Sequence, residues 1–230
     1  MPSKNAIKIY IENGYYHIYN RGVEKRTILL DAQDYAVFLS YLKEYLLPKD
    51  IPELTKRLAD TKTSYKEKDK IAKLLRLNNF AGEIKLLAYG LMRNHLHFLV
   101  KQKSAGSIDK FMNSMGTRYT MYFNRKYKRV GSLYQGVYKA VLVDTDEQLL
   151  HLSRYIHKQA LASQGDALRG WEQPSSYPEY LGLRQTKWIK PEEILSFFSR
   201  TNPALSYEAF VRQTEDFAYI QKLLIEDDEI

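Results

Sequence analysis

Two histidines placed two residues apart inside an apolar run are the feature of this sequence with the most obvious chemistry. His95 and His97 lie in the segment LMRNHLHFLV, residues 91–100. Side chains at positions i and i+2 of a β-strand point to the same face of a sheet. In a strand the two imidazoles would lie side by side, while Leu96 and Phe98 would face a core. Two neutral imidazoles supply two ligands of a catalytic metal site, although exposed strands also carry such pairs by chance.

The composition indicates an ordinary globular protein. Hydrophobic residues make up 44% of the 230 residues and charged residues 27%, which is typical of soluble domains. The sequence has no cysteine, so disulfides, thiolate metal ligands and a cysteine nucleophile are excluded. No apolar run approaches the roughly 18 residues of a membrane span, and no secretory signal is evident. We therefore expect a soluble, cytoplasmic protein with no membrane contact.

The positive charge is unevenly distributed along the chain. The net charge is +8, but residues 191–230 carry −6 and residues 1–190 carry +14. A basic body of this size favours a polyanionic partner such as nucleic acid. A solvated lysine-rich surface is the alternative interpretation.

Tyrosines alternate with basic residues in one segment. The sequence has 19 tyrosines, and residues 118–129 read RYTMYFNRKYKR. Cations that meet phosphates and rings that stack on bases are typical of surfaces that bind single-stranded nucleic acid. An amphipathic helix with buried aromatics would give the same pattern, and Tyr122 and Phe123 fit a core better. The basic residues predicted to contact DNA are Arg118, Arg125, Lys126, Lys128 and Arg129.

Hydrophobic periodicity predicts an α+β protein. Strands are predicted near residues 14–22, 83–89, 94–101 and 137–143. Long helices are predicted after Asp31 and after Asp144, each as the N-cap, and over residues 107–126. This β-α-β-β-α-β order predicts a ferredoxin-like (split βαβ) antiparallel sheet with helices on one face, leaving the other face for a ligand. We predict a catalytic domain over residues 1–182, with a basic insertion at about 49–82, and an acidic helical C-terminal extension over residues 183–230.

Four stretches, in this order, resemble a known family. They are YHIYNRG at 16–22, LMRNHLH at 91–97, YTMYFNRKY through GSLYQGVYK at 119–139, and RYIH at 154–157. PSSYPEY at 174–180 has the same character. In these segments the sequence resembles the single-tyrosine HUH transposases, most closely the REP-associated tyrosine transposases.

The resemblance implies cleavage and strand transfer of single-stranded DNA on a ferredoxin-like core. It implies that His95 and His97 bind a metal ion, that Tyr155 is the nucleophile, and that Gln159 is the third metal ligand. Members of the family usually read YIHLNPV in the helix that carries the tyrosine, whereas residues 155–161 read YIHKQAL here. Glutamine thus replaces asparagine and keeps an amide ligand, and the missing proline changes how the helix ends.

The chemistry implied by the family is consistent with the residue types. Tyr155 and Gln159 are four residues apart and share one face of a helix. Imidazoles and a neutral amide suit Mg²⁺ or Mn²⁺ completed by phosphate and water. A phenol with an unperturbed pKa near 10 needs activation at neutral pH. His17 and His151 are candidates to support the metal-binding residues by hydrogen bonding, and an ordinary structural role is the alternative for each.

We therefore predict a metal-dependent single-stranded DNA endonuclease and strand transferase that forms a covalent 5′-phosphotyrosine and recognises hairpin or repeat DNA. Such an intermediate keeps the energy of the phosphodiester, so no nucleotide cofactor is expected, and the chain has no Walker-type loop. The alternatives are a catalytically inactive hairpin DNA-binding protein and a metal-dependent nuclease that uses water. Both a monomer and a homodimer are compatible with the sequence.

Overall fold

A four-stranded antiparallel sheet forms the centre of the molecule. The computed structural model describes residues 8–162, 174–214 and 217–224. The strands are β1 (Tyr15–Arg21), β2 (Ile84–Leu91), β3 (His95–Gln102) and β4 (Lys139–Val143), in the spatial order β2-β3-β1-β4. Because β1 and β3 are central and antiparallel, the predicted ferredoxin-like plan is confirmed.

Two long helices cover one face of the sheet. They are α1 (Ala32–Leu46), whose N-cap Asp31 accepts a hydrogen bond from the backbone of Asp34, and α4 (Ser107–Lys126). Phe38 of α1 packs against Phe98 of β3 and Tyr119 of α4, with ring centroids 6.2 and 4.8 Å apart. This core contains Leu96 and Phe98, the two residues of β3 that strand alternation predicts to face away from the paired histidines.

The basic insertion is a helical hairpin. It consists of α2 (Ile51–Ala59) and α3 (Tyr65–Arg76), which are capped by the side chains of Asp50 and Ser64. Ile71 is the one residue of the two helices that is buried. The hairpin therefore contributes little to the core.

The second face of the sheet is covered by α5 (Asp146–Ala162). The two long helices of the ferredoxin-like plan lie on the other face, and α5 packs on this one, where the roles implied for Tyr155 and Gln159 require it. A β-bulge between Leu86 and Ala88 helps to turn Leu87 and Ala88 towards the second face, where they form an apolar core with Leu99 and α5. Burial of this apolar strip explains why α5 packs there.

The N-terminus of α5 is also capped differently from the prediction. Thr145, rather than Asp144, accepts a hydrogen bond from the backbone N–H of Gln148, at 3.2 Å. The Gln148 side chain accepts one in return from the backbone of Asp144, at 2.9 Å. This reciprocal pair resembles a capping box, in which a Thr or Ser is preferred as the cap.

The chain beyond α5 packs on the same second face. It includes three short helices, α6 (Tyr177–Tyr180), α7 (Glu192–Leu195) and α8 (Tyr207–Arg212). Glu193 accepts hydrogen bonds from Lys85 and Lys101 at 2.9 and 3.2 Å. We call the described part of residues 192–224 the C-terminal segment. The ion pairs of Glu193 and the buried side chains of Ile220 and Leu223 attach it to the second face of the sheet. None of the helices within the described ranges is long and apolar enough to span a membrane.

Candidate catalytic site

The two histidines of the HLH motif share one face of the sheet, as their spacing predicts. His97 lies opposite Tyr19 of β1, and His95 lies opposite Arg21. The ring centroids of His95 and His97 are 5.0 Å apart, with the ring planes at 88°. His97 is fully buried and His95 is half-buried.

Helix α5 brings Tyr155 to this pair. The Tyr155 ring centroid is 5.6 Å from that of His97, with the ring planes at 86°, and Tyr155 is 4% exposed. The closeness depends on Gly90, which lies opposite His97 in the sheet. A Cβ atom at Gly90 would lie 2.9 Å from the carbonyl oxygen of Ile156. Glycine therefore lets the backbone beside Tyr155 approach the strand.

The imidazoles of the site are neutral at pH 7. Burial, together with a smaller effect of the nearby Arg21 cation, lowers the pKa of His95 to about 4. Burial also holds the pKa of His97 well below its usual range, with additional effects of His17 and His95. A neutral imidazole keeps one nitrogen lone pair, which is the form that binds a metal ion.

The hydrogen bonds indicate which nitrogens are free to act as ligands. The Asn94 side-chain oxygen lies 2.7 Å from His95 Nδ1, so Nδ1 donates and Nε2 keeps the lone pair. His97 Nδ1 is 2.8 Å from His17 Nε2. Nε2 of His97 is buried and has no hydrogen-bond partner in the part of the chain that the structure describes. A buried nitrogen of this kind fits a metal ligand, because burial without a partner is otherwise costly.

Gln159 follows Tyr155 by one turn of α5. It is half-buried and lines a cleft of about 650 Å³ together with Lys158, Tyr177 and Glu208. Over residues 8–162, 174–214 and 217–224, no group of three or more His, Cys, Asp or Glu side chains is arranged to hold a metal ion. Neither histidine of the pair lines the cleft that Gln159 lines, so the role of the Gln159 amide as a third metal ligand stays a prediction.

The two histidines predicted to support the metal-binding residues, His17 and His151, lie in different places. His17 is fully buried and stacks on His97 with ring centroids 5.0 Å apart. His151 instead accepts a hydrogen bond from Arg154 at 3.0 Å, and its ring centroid is 4.5 Å from that of Tyr219 in the C-terminal segment. The structure thus brings His17, but not His151, into contact with the paired histidines.

Two of the basic residues predicted to contact DNA have acidic partners within the protein. Arg118 forms an ion pair with Glu44 at 2.6 Å and lies over the ring of Tyr41. Lys126 lies 2.7 Å from both Asp31 and Asp34. Their charges are partly neutralised, so they are less available to phosphate than the sequence suggests.

The other three basic residues are more accessible. Arg125 and Lys128 are exposed at the end of α4 and in the turn that follows. Arg129 is half-buried and donates a hydrogen bond to the Asn124 side chain at 3.0 Å. A DNA contact from this region would therefore come mainly from Arg125 and Lys128.

Arg21 is a residue of the site that the sequence reasoning missed. It lies opposite His95, is 8% exposed, and places a positive charge beside the imidazole pair. The signal was present in the strand alternation, because His17, Tyr19 and Arg21 occupy positions i, i+2 and i+4 of β1. A buried cation beside two neutral ligands is suited to binding a phosphate oxygen.

Comparison with known proteins supports the resemblance. Residues 56–159 match the family of IS200-like transposases. His95, His97, Tyr155 and Gln159 all lie in the matched region, whereas β1 with His17 and Arg21 lies outside it. No curated protein matches the chain.

Solved structures of transposases are similar over much of their length. A REP-associated tyrosine transposase bound to a REP hairpin is 10% identical, with a TM-score of 0.48, over 87% of this chain and 94% of that one. A candidate transposase from Deinococcus radiodurans is 13% identical, with a TM-score of 0.35, over 69% of this chain and 98% of that one. Identities and TM-scores this low do not by themselves establish a shared activity. Residues 56–159 nevertheless match the IS200-like transposase family, and the resemblance expected from the sequence motifs is confirmed over that part of the chain.

Proposed function

We propose that this protein is a metal-dependent endonuclease and strand transferase for single-stranded DNA, with Tyr155 as the nucleophile and hairpin or repeat DNA as the substrate. The observation that carries the proposal is the cluster of His95, His97 and Tyr155 on one face of the sheet. The ring centroids of His95 and Tyr155 lie 5.0 and 5.6 Å from that of His97 within one chain, which supports a tyrosine that acts in its own subunit.

The metal site would be formed by the Nε2 atoms of His95 and His97 and by the amide oxygen of Gln159. These ligands carry no charge, so a bound Mg²⁺ or Mn²⁺ would retain its full charge toward a phosphate. When bound, the ion supplies Lewis-acid polarisation of the scissile phosphoryl group.

Tyr155 performs the covalent step. Its phenolic oxygen attacks the phosphorus atom, the bond from phosphorus to the 3′ oxygen breaks, and the 5′-phosphate becomes joined to the tyrosine. The phenolic proton is released to solvent, and the departing 3′ oxygen takes up a proton to become a hydroxyl. In strand transfer a 3′-hydroxyl attacks the phosphotyrosine and the phenol is regenerated. The number of phosphoester bonds is unchanged, so no nucleotide cofactor is needed.

Arg21 would stabilise the negative charge that develops on the phosphate oxygens. Its position opposite His95 places the guanidinium beside the proposed metal site, and such preorganised charges are a major source of transition-state stabilisation. Arg125 and Lys128 would contact phosphates of the DNA strand beyond the active site. A hairpin substrate is proposed because the family resemblance includes REP-associated transposases, and the structurally similar transposase is described as bound to a REP hairpin.

The test is formation of a covalent adduct. Purified protein is incubated with labelled single-stranded hairpins taken from repeats flanking its gene, with Mn²⁺, Mg²⁺ or a chelator, and is run on a denaturing gel. We expect a metal-dependent protein–DNA band that Tyr155→Phe abolishes. Tyr65→Phe is the matched control, because Tyr65 is 89% exposed on α3 and should keep wild-type activity.

The two alternative functions give different results. A nuclease that uses water would cleave the DNA without an adduct and would be unaffected by Tyr155→Phe. A catalytically inactive DNA-binding protein would shift the hairpin in a native gel but would neither cleave nor form an adduct. Either result would overturn the proposal.

A further inference from the structure

A chain of buried hydrogen bonds connects the C-terminal segment to His97. The backbone carbonyl of Leu223 lies 2.7 Å from His17 Nδ1, and His17 Nε2 lies 2.8 Å from His97 Nδ1. His17 and His97 are both fully buried, and Leu223 is 2% exposed. The connection spans 206 residues of sequence between His17 and Leu223.

The chemistry of these groups fixes which atom donates and which accepts in each of the two hydrogen bonds. A carbonyl oxygen accepts hydrogen bonds and cannot donate them, so His17 Nδ1 must carry a proton. In a neutral imidazole the other nitrogen is then an acceptor, and burial keeps His17 neutral by lowering its pKa to about 4. His17 Nε2 therefore accepts a hydrogen bond, and His97 Nδ1 must donate it. The remaining nitrogen of His97, Nε2, is left with its lone pair.

The surroundings of His97 Nε2 agree with donation from His97 Nδ1 to His17 Nε2. Nε2 of His97 is one of the buried side-chain atoms for which the described residues provide no hydrogen-bond partner. If His97 carried its proton on Nε2 instead, a buried N–H would be unsatisfied, and two lone pairs would face each other between His17 and His97. Both are unfavourable.

We propose that Leu223, acting through His17, fixes His97 in the tautomer that carries its proton on Nδ1 and so presents Nε2 to the metal ion. His17 is then a positioning residue, and the C-terminal segment is part of the catalytic apparatus rather than an accessory. Hydrogen bonds of this kind orient metal-binding histidines, and their loss typically lowers metal affinity about 10–100-fold. The metal consequence rests on the proposed function, whereas the tautomer does not.

The tautomer is measured in the full chain without metal, by NMR of the ¹⁵N-labelled histidine rings. We expect wild-type His97 to carry its proton on Nδ1. His17→Leu removes the acceptor and should give a mixture of both tautomers. His17→Gln places an amide oxygen near the position of Nε2 and should restore the wild-type signal. His157→Gln is the matched control, because His157 is buried on α5 and bonds Tyr207 and Ser176 instead.

A second variant removes the Leu223 end of this series of hydrogen bonds. Deletion of residues 215–230 removes the Leu223 carbonyl and keeps His17, so the His97 tautomers should again mix. Mn²⁺ titration of the same proteins should show affinity lowered about 10–100-fold in His17→Leu and recovered in His17→Gln.

Two results would overturn the inference: a proton on Nε2 in wild-type His97, or tautomers unchanged in both His17→Leu and the deletion. The wild-type measurement decides the first even if a variant fails to fold. Failure of the proposed function looks different. The His97 tautomer would respond as expected, but Mn²⁺ would not bind and Tyr155 would form no adduct.

Discussion

Substitution of Gly90 by alanine tests whether the approach of α5 to the sheet sets the position of the nucleophile. The new Cβ would lie 2.9 Å from the carbonyl oxygen and 3.3 Å from Cγ2 of Ile156. Carbon–oxygen contacts in proteins are ordinarily no closer than about 3.3 Å, so the backbone of α5 must move by about 0.4 Å. The contact is with the backbone of α5, which cannot rotate away as a flexible side chain can. Because Ile156 follows Tyr155 in α5, the shift moves Tyr155 away from His97.

The expected effects are on both stability and catalysis. Overpacking of this kind costs about 1–3 kcal/mol, and a loss of about 2 kcal/mol lowers the Tm of a chain this size by roughly 4–8 °C. Since a 1 Å misplacement can cost about 100-fold in rate, a 0.4 Å shift should slow adduct formation roughly tenfold.

Thermal unfolding and single-turnover adduct formation with hairpin DNA, well below the Tm, measure the two effects. Gly116→Ala is the matched control, because Gly116 lies within α4 and a Cβ there would be 4.0 Å from Cε2 of Tyr134, an ordinary van der Waals distance. It should raise stability by up to about 1 kcal/mol and leave the rate unchanged. Wild-type stability together with a wild-type rate in Gly90→Ala would refute the reasoning.

Three further predictions concern charged residues outside the His95, His97 and Tyr155 cluster. Asp34→Asn should destabilise the protein by about 3 kcal/mol, measured by urea unfolding, because buried Asp34 accepts hydrogen bonds from two tyrosines and a lysine; an unchanged midpoint would contradict this. Burial raises the pKa of Glu193, but a hydrogen bond from Tyr15 and the contacts with Lys85 and Lys101 outweigh it and hold the pKa below the usual 4.5. Glu193→Gln should therefore cost about 1–2 kcal/mol at pH 7. That difference should shrink as the pH falls below 4.5 and Glu193 becomes protonated; a difference independent of pH would argue against the ion pairs. Combined Arg125→Ala and Lys128→Ala should reduce the slope of log affinity for single-stranded DNA against log salt by about 1.5, whereas Lys73→Ala on α3 should leave it unchanged.

The pairing of the histidines and the order of the elements were predictable because each depends on local periodicity. The i, i+2 alternation of a strand puts His95 and His97 on one face whatever surrounds it. The apolar spacing of α4 predicted its bounds, Ser107–Lys126, as the structure has them. Sequence motifs also predicted the transposase resemblance that residues 56–159 bear out.

The failures of prediction have a common cause in long-range contacts. Apolar residues of a β-bulge look alike whether they face one side of the sheet or the other, so the apolar strip of Leu87 and Ala88 against which α5 packs was not predicted. Lys126 looks like a free cation in its own segment, and its partners Asp31 and Asp34 lie more than 90 residues away. His151 stands one helical turn before Tyr155, but its side chain lies against the C-terminal segment.

The sequence alone thus determined which residue types are available for metal binding and nucleophilic attack, and on which face of a strand or helix each one lies. Tertiary structure decided what those groups are next to. It brought Tyr155 to His97 through the missing side chain of Gly90, and it connected His97 to Leu223 through His17. Neither relation is periodic in the chain, because each depends on burial and close packing between segments that meet when the protein folds.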